Sequence, residues 1–377
     1  MSIFFTTCTV SFLLTLLQNL DRMYVICRYY TIWRKITLNI GSLPFEIPIN
    51  ELDEKISNLL AIDPNETRDE VIQLQEEYEG LIKKIFLNLT PWQKTQIARH
   101  IRRPCIMDYI PRIFDEFIEL HGDRLIGDDR AIITGMARFA NETVFVIAHQ
   151  KGKDTTTNIA CNFGMPNPEG YRKAARIMRL AERFKKPLLT FIDTPGAYPG
   201  IEAEERGQGE AIARNLFILS RLKTPVIAVI IGEGGSGGAL AIGVADRVMM
   251  LEHAVYSVIS PEGCAAILWN DKTRVEEAAG TLHLTAKDLL ELQIIDEIIL
   301  EPSGGAHRNH DEAAQKIKKA IKKHLNKLKA IDIPALLEER YEKYQKMGKW
   351  GKMGRRENGD GDGDGENGDS ALFLEEK

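Results

Sequence analysis

Short apolar runs and helix-spaced apolar positions alternate through the middle of the chain. Residues 131–139 and 143–149 read as strands joined by a turn at Asn141-Glu142; 187–193, 225–231 and 247–251 read as three more. Between them 168–184, 204–221 and 236–245 are predicted helices. The first would pack through Ala174, Ala175, Ile177, Met178, Leu180 and Ala181. Near-continuous apolar strands alternating with helices predict an α/β layer structure with both sheet faces covered. Glycine-rich turns sit where two of these strands end, the place where such folds hold ligands.

Upstream, residues 51–89 are predicted helical. Leu52, Ile56, Leu59 and Leu60 recur at helical spacing, as do Val71, Leu74, Tyr78, Leu81 and Ile85. Pro64 separates two helices, with Asp63 as the N-cap before it. A hairpin of this kind braces a neighbouring surface or a partner subunit, and catalysis is not expected there.

Composition narrows the class. Of 377 residues, 44% are hydrophobic and 27% charged, near globular averages, which excludes a collagen-like fibre, a wholly disordered chain and a polytopic membrane protein. The five cysteines (Cys8, Cys27, Cys105, Cys161, Cys264) form no C-x-x-C, so neither a zinc ribbon nor a disulfide framework is encoded, and a reducing compartment fits. The formal charge of −5 is uneven: residues 357–377 carry −7, leaving +2 on 1–356, which demands no nucleic acid. Lys151/Lys153 and Arg172/Lys173/Arg176 form local basic clusters, read as solvated faces or phosphate contacts.

Both ends fall outside the predicted core. Residues 2–20 carry no charge but are diluted by threonine, serine, glutamine and asparagine, too polar for a membrane span. They lack the basic start of a secretory signal, although Arg22, Arg28, Arg34 and Lys35 would suit an organelle transit peptide, and Met23 would serve as an alternative start. A dispensable extension over 1–35 is the expectation. At the other end Asp360, Asp362, Asp364 and Gly365 match half of a calcium loop, but the twelfth position is Ala371, not glutamate. A solvated, disordered tail over 347–377 is expected instead.

Two turns carry chemistry. Asp193-Thr-Pro-Gly-Ala-Tyr-Pro-Gly200 has the Asp-x-x-Gly of a GTPase switch, yet no phosphate loop accompanies it. Its nearest candidate, Gly152-Lys153, has Ile147 in place of the first glycine and Asp154 in place of Ser/Thr. GTP hydrolysis is excluded. The second turn, Gly232-Glu-Gly-Gly-Ser-Gly-Gly-Ala239, satisfies three templates. Gly232, Gly234 and Gly237 fit a dinucleotide fingerprint with Glu252 downstream. Gly234, Ser236 and Gly238 fit a nucleophile elbow with His253, His283 and His307 downstream. Adjacent amides at a helix start also fit an oxyanion hole, where only small residues let the backbone approach a reacting carbonyl.

Several long strings together resemble one family. They are His149-Gln-Lys-Gly152, Asn162-Phe-Gly-Met-Pro-x-Pro-Glu-Gly-Tyr-Arg-Lys173, Phe191-Ile-Asp-Thr-Pro-Gly-Ala-Tyr-Pro-Gly200, Glu204-Glu-Arg-Gly-Gln208, residues 232–243, Tyr256-Ser-Val-Ile-Ser-Pro-Glu-Gly-Cys-Ala265 and Glu301-Pro-x-Gly-Gly-Ala-His-Arg308. In this order they resemble the α subunits of the carboxyltransferase component of multi-subunit, bacterial- and plastid-type acetyl-CoA carboxylases, over about 36–345. Thr157-Asn-Ile-Ala-Cys161 departs from the family's basic residues at this point, so no binding role is given to it.

The resemblance implies an α/β, crotonase-like (ClpP/crotonase) spiral of ββα units, with an N-terminal helical hairpin and C-terminal helices. The implied divisions are a helical region over 36–100 and a carboxyltransferase domain over 101–346. It implies transfer of carboxylate from carboxybiotin to acetyl-CoA, giving malonyl-CoA for fatty-acid synthesis. The implied partners are a carboxyltransferase β subunit in an α2β2 assembly, a biotin carboxyl carrier protein and an ATP-using biotin carboxylase. Biotin would sit on the carrier and zinc only on the β subunit. The chain has no zinc ribbon, no Met-Lys-Met and no ATP loop, in keeping with that division. Cytoplasm, or plastid stroma in a photosynthetic eukaryote, is the implied compartment.

Such chemistry needs amide nests for developing negative charge, with no obligatory side-chain base. By resemblance the nest falls on Gly237 and Gly238 with Ala239 adjacent, supported by Gly234 and Gly235. Gly196 and Ala197 would shape the cleft wall and Gly263 is a second candidate. Ser236 reads as a helix cap, Cys264 as a packed residue, and His149 and Tyr198 as core neighbours of the site. No metal ligand is expected.

Overall fold

The computed structural model describes residues 41–62 and 68–348. Among the described residues, those through Met347 belong to one compact unit. The predicted extension over 1–35, the Asp63-Pro64 junction and the acidic tail lie outside the described residues.

A helical hairpin comes first: α1 (Ile47–Ile62) and α2 (Arg68–Phe86), which bury Ile49, Leu52, Ile56, Val71 and Ile82. Then follow α3 (Pro91–Ala98), α4 (Ile106–Ile113), β1 (Glu116–Glu119), β2 (Ile132–Phe139), β3 (Glu142–His149), α5 (Thr155–Ala160), α6 (Pro168–Arg183) and β4 (Leu188–Thr194). The second half holds α7 (Ile201–Glu205), α8 (Gln208–Arg221), β5 (Val226–Gly235), α9 (Ser236–Leu240), β6 (Arg247–Leu251) and β7 (Val255–Ser257). It closes with α10 (Pro261–Trp269), α11 (Val275–Thr281), α12 (Ala286–Glu291), β8 (Glu297–Ile299), α13 (His310–Lys329) and α14 (Ile333–Gln345).

One sheet runs β1-β2-β3-β4-β5-β6-β8, with β7 pairing β5 off this path. The first two pairings are antiparallel and those from β3 onward parallel. Strand order follows chain order with helical crossovers, an α/β arrangement with a helical hairpin before and two helices after. Every residue of β4 is buried, as expected of a strand covered on both faces. Arg340 ties α14 to this core: its wholly buried guanidinium donates to Asp246 and to the carbonyls of Leu219, Leu222 and Thr224 at 2.7–3.0 Å.

Several boundaries differ from expectation for local reasons. The β2–β3 link is Ala140-Asn141, both with positive φ, one residue earlier than predicted, and Glu142 already pairs with Phe139. Gly207, at φ 80°, breaks the predicted 204–221 helix into α7 and α8. β5 continues four residues past 231 because it gains a new neighbour: Ile227–Ile230 pair with β6, and Glu233–Gly235 pair with β7. Strands β1, β7 and β8 have three or four residues each, too few to show a period of two.

Most of these basic residues are tied into the fold, although Lys153 stays exposed and pairs with Asp108. Lys173 is 1% exposed and donates to the Asp129 carbonyl at 2.8 Å, with Asp128 as its ion-pair partner. Arg172 holds Asp123 and Glu169, and Arg176 the carbonyls of Leu120, His121 and Gly122. Together α6 fastens the loop that precedes β2. The three described cysteines, including Cys264, are buried free thiols.

Candidate active site

β4 and β5 run in register to Ile192↔Ile230, then shift before Thr194↔Gly234. Beyond that irregularity the two backbones press together. A Cβ on Gly235 would lie 2.1 Å from the Pro195 carbonyl oxygen, and one on Gly238 would lie 2.4 Å from Ala197 N and 2.5 Å from Gly196 C. The corner and the turn carrying Gly196 and Ala197 therefore touch, backbone to backbone. Gly232 is pressed on Asp193 (2.4 Å) and Gly234 on the Tyr256 ring (2.6 Å). At Gly237 the nearest atoms are Ile212 methyls at 3.9 and 4.0 Å, so nothing steric demands glycine there.

α9 opens at Ser236, exposed and in the left-handed region at φ 51°. It is not the cap that was expected. Gly235 holds the cap position and no side chain bonds to the helix start. As the second and third residues of α9, Gly237 and Gly238 present amides that have no acceptor within the helix and no capping side chain, while the Gly237 carbonyl accepts from Ala241 N–H at 3.0 Å. Gly237 is half-buried, and Gly238 and Ala239 are buried. Two free donors at a helix start are what an anion needs. Beside them opens a cavity of about 360 Å³ lined by Ser236, Gly237, Leu240, Tyr256, Val258 and Leu292 among others, predominantly apolar.

Gly263 does not supply a second nest. It lies in the first turn of α10, where Ser260 caps the helix and accepts the Gly263 N–H at 3.1 Å. Gly196 also has its amide engaged, by Thr194 Oγ1 at 3.1 Å. Tyr198 packs its ring over Gly200, and Gln208 bonds its carbonyl.

The rival templates lose their second halves. Glu252 accepts the Glu301 N–H and lines a different cavity, between α2 and the 301–312 segment, which excludes it from a ribose beside the glycines. Of the candidate bases, His253 packs edge-on against Phe86 and His307 bonds Glu46. Only His283 lines the cavity with Ser236, and no hydrogen bond joins the two.

Sequence reading missed an ionic chain beneath the corner: Glu262, Arg99, Glu233, Lys151, Asp193, alternating in sign. Arg99, at the C-terminal end of α3, donates to Glu233 at 2.6 Å and pairs with Glu262. Lys151 bridges Glu233 (2.7 Å) and Asp193 (2.8 Å), and Asp193 also accepts the Glu233 N–H at 3.0 Å. Burial alone would raise the Glu233 carboxyl, but Lys151 and Arg99 hold it at about 2. Burial would lower Lys151, and the two carboxylates more than reverse that. Lys151 was expected on a solvated face. The overlooked signal was a lone charge inside the glycine run and another directly after a buried strand.

A buried cluster of Glu46, His100 and His307 brings one potential ligand atom from each within 4.8 Å. His100 Nδ1, however, accepts the Arg102 N–H at 3.1 Å, which leaves the ring proton on Nε2, 3.7 Å from Glu46. A metal needs a lone pair where this ring carries hydrogen. Arg308 also donates to Glu46 at 3.0 Å, supplying the positive charge itself. The cluster is a charge-paired lock joining Glu46, the residue before α1, to the 301–308 segment. No helix among the described residues is long and apolar enough to cross a membrane.

Fold and corner together define an α/β protein with a glycine-rich strand-to-helix corner beside an apolar cavity. Residues 42–348 match the family described as acetyl co-enzyme A carboxylase carboxyltransferase-like. The chain is 57% identical to the acetyl-coenzyme A carboxylase carboxyl transferase subunit alpha of Geobacter metallireducens, over 80% of this chain and 95% of the relative. It is 56% identical to that of Thioalkalivibrio sulfidiphilus, over 81% and 96%. Among solved structures, the transcarboxylase 12S core is 21% identical with a TM-score of 0.48, covering 60% of this chain and 43% of that one. The chain belongs to the acetyl-CoA carboxylase carboxyltransferase α-subunit family.

Proposed function

We infer that this chain is the α half of a carboxyltransferase that moves a carboxyl group from carrier-borne biotin to acetyl-CoA, giving malonyl-CoA. It works within a multi-subunit complex. Its specific partners are read as a zinc-ribbon β subunit, a biotin carboxyl carrier protein and a biotin carboxylase; the compartment is read as cytoplasm or plastid stroma.

The observation that carries this reading is the uncapped helix start at Gly237 and Gly238, at the mouth of an apolar cavity. The cavity suits a small apolar ring body and the amides suit a polar oxygen at its edge, so the residues present fit biotin. When bound, biotin supplies the carboxyl group to be transferred. The chain's own part is to bind and orient. The Gly237 and Gly238 N–H groups stabilise negative charge developing on an oxygen at the corner, each donor contributing about 3–4 kcal/mol to the barrier reduction. Leu240, Tyr256 and Val258 offer the ring an apolar surface. The ionic chain from Glu262 to Asp193 fixes the corner from beneath.

The deciding experiment is co-purification with a zinc-ribbon β subunit, followed by assay of malonyl-CoA formation from carboxylated carrier. Transfer by the pair and none by the α chain alone is expected; activity of the isolated chain would contradict the shared site. Ser236→Ala separates carboxyl transfer from serine hydrolysis. A kcat within about tenfold of wild type fits an amide nest, whereas abolished turnover in a folded variant fits a nucleophile.

A further inference from the structure

Four polar side chains reach the predominantly apolar cavity beside the corner: Ser236, Tyr256, Ser257 and His283. The fold uses two of them. Ser257 Oγ accepts the Ile259 N–H at 3.4 Å, and Tyr256 turns its hydroxyl toward the segment after α9, where a Cβ on Gly243 would lie 3.2 Å from it. Ser236 and His283 are exposed, and neither side chain has a hydrogen-bond or ion-pair partner among the described residues. They come from separate segments, the β5–α9 corner and the link between α11 and α12.

None of Gly234, Gly235, Gly237 and Gly238 has a positive φ; the corner's left-handed residue is Ser236, at 51°. Glycine would take that conformation without strain. The corner instead holds a serine there, and its hydroxyl, which caps no helix, is what the strain retains. Ligand pockets combine an apolar body with a few convergent polar groups that fix orientation. A hydroxyl and an imidazole each offer a donor, here on the rim of a space that fits an apolar ring.

We propose that Ser236 and His283 are specificity-determining residues of the biotin site: the Ser236 hydroxyl and a His283 ring N–H donate to the acceptor-rich ureido edge of the bound ring. The proposal rests on the assignment of this cavity to biotin and adds which side chains read the ring. Both contacts are made to the bound ring throughout the reaction, so they set its affinity and not the rate of the chemical step. No covalent step passes through Ser236.

The test uses the full chain in its reconstituted carboxyltransferase complex, with free biotin as the probe. Glycine suits the left-handed backbone at both positions (φ 51° and 48°), so Ser236→Gly and His283→Gly should keep the wild-type thermal midpoint. In malonyl-CoA decarboxylation each should raise KM for biotin about threefold to tenfold, the worth of one neutral hydrogen bond, with kcat and KM for malonyl-CoA within about twofold of wild type. Wild-type KM for biotin in either variant, or a rise in KM for malonyl-CoA instead, would overturn the proposal. The carbon-13 ring resonance of His283 in histidine-labelled complex, identified by its loss in His283→Gly, gives a readout free of turnover. It should move saturably as biotin is added, and in Ser236→Gly the same shift should need about threefold to tenfold more biotin. A His283 resonance that biotin leaves unmoved would sink the idea. If the wild-type complex shows no biotin-dependent turnover, the functional assignment fails, while the His283 resonance still decides whether this pair contacts biotin.

Discussion

Gly238→Ala tests the contact on which the corner depends. The added Cβ would meet Ala197 N at 2.4 Å and Gly196 C at 2.5 Å, both backbone atoms with no flexible end to swing away. Reaching an ordinary contact requires the two turns to separate by more than half an ångström. Overpacking of this kind costs about 1–3 kcal/mol, which lowers the thermal midpoint by about 1–2 °C per kcal/mol in a chain of this length. The same displacement moves the nest relative to the opposite wall, and a shift approaching 1 Å costs about 10²-fold in rate. Gly237→Ala is the stability control: its Cβ would only touch Ile212 methyls at 3.9 and 4.0 Å, so its thermal midpoint should match wild type. The assays are differential scanning calorimetry of each variant and malonyl-CoA decarboxylation in the presence of biotin by the reconstituted pair. A Gly238→Ala protein with unchanged midpoint and unchanged kcat would refute the close approach. So would a Gly237→Ala protein less stable than Gly238→Ala.

Glu233→Gln leaves Lys151 and Arg99 each short of one carboxylate in a mostly buried setting, and should cost about 3 kcal/mol by urea denaturation; a loss below 0.5 kcal/mol, about what a surface change costs, would deny the ionic chain its role. Stability should fall with acid in two windows. His100 and His149, held near 3, stay neutral in the fold while the unfolded chain takes up protons below about 6.5, so stability declines as pH drops from there, approaching about 1.4 kcal/mol per pH unit for each. Glu46, Glu233 and Glu301, held near 2, contribute fully above about 4.5 and lose that contribution as pH falls toward 2. A urea midpoint that is flat between pH 7 and 5 would contradict the first window. Zinc added to the isolated α chain should leave its thermal midpoint unchanged and show no binding at Glu46, His100 and His307 by titration calorimetry, because the His100 ring proton occupies the ligand position.

Much of the fold was legible because it is written locally. The buried apolar runs of β4 and β5, the small residues along α6 and the proline at its start each announce an element within its own sequence. The amide corner was legible for the same reason: glycines crowd where a strand hands over to a helix, and no side chain is there to hide them. What tertiary structure alone decided is which distant segments meet. Arg99 and Glu233 are 134 residues apart, and nothing local marks either as the other's counter-ion. Lys151, Arg172, Lys173 and Arg176 looked like a charged surface because sequence gives the number of charges but not their partners. Gly263 looked equivalent to Gly238 until Ser260 was found accepting its N–H. Ser236 looked like a cap until β5 ran on to Gly235 and turned it left-handed. Sequence determined that backbone amides would be exposed at this corner; packing against the Gly196-Ala197 turn decided which stay free, because hydrogen-bond satisfaction depends on neighbours that only the folded chain supplies.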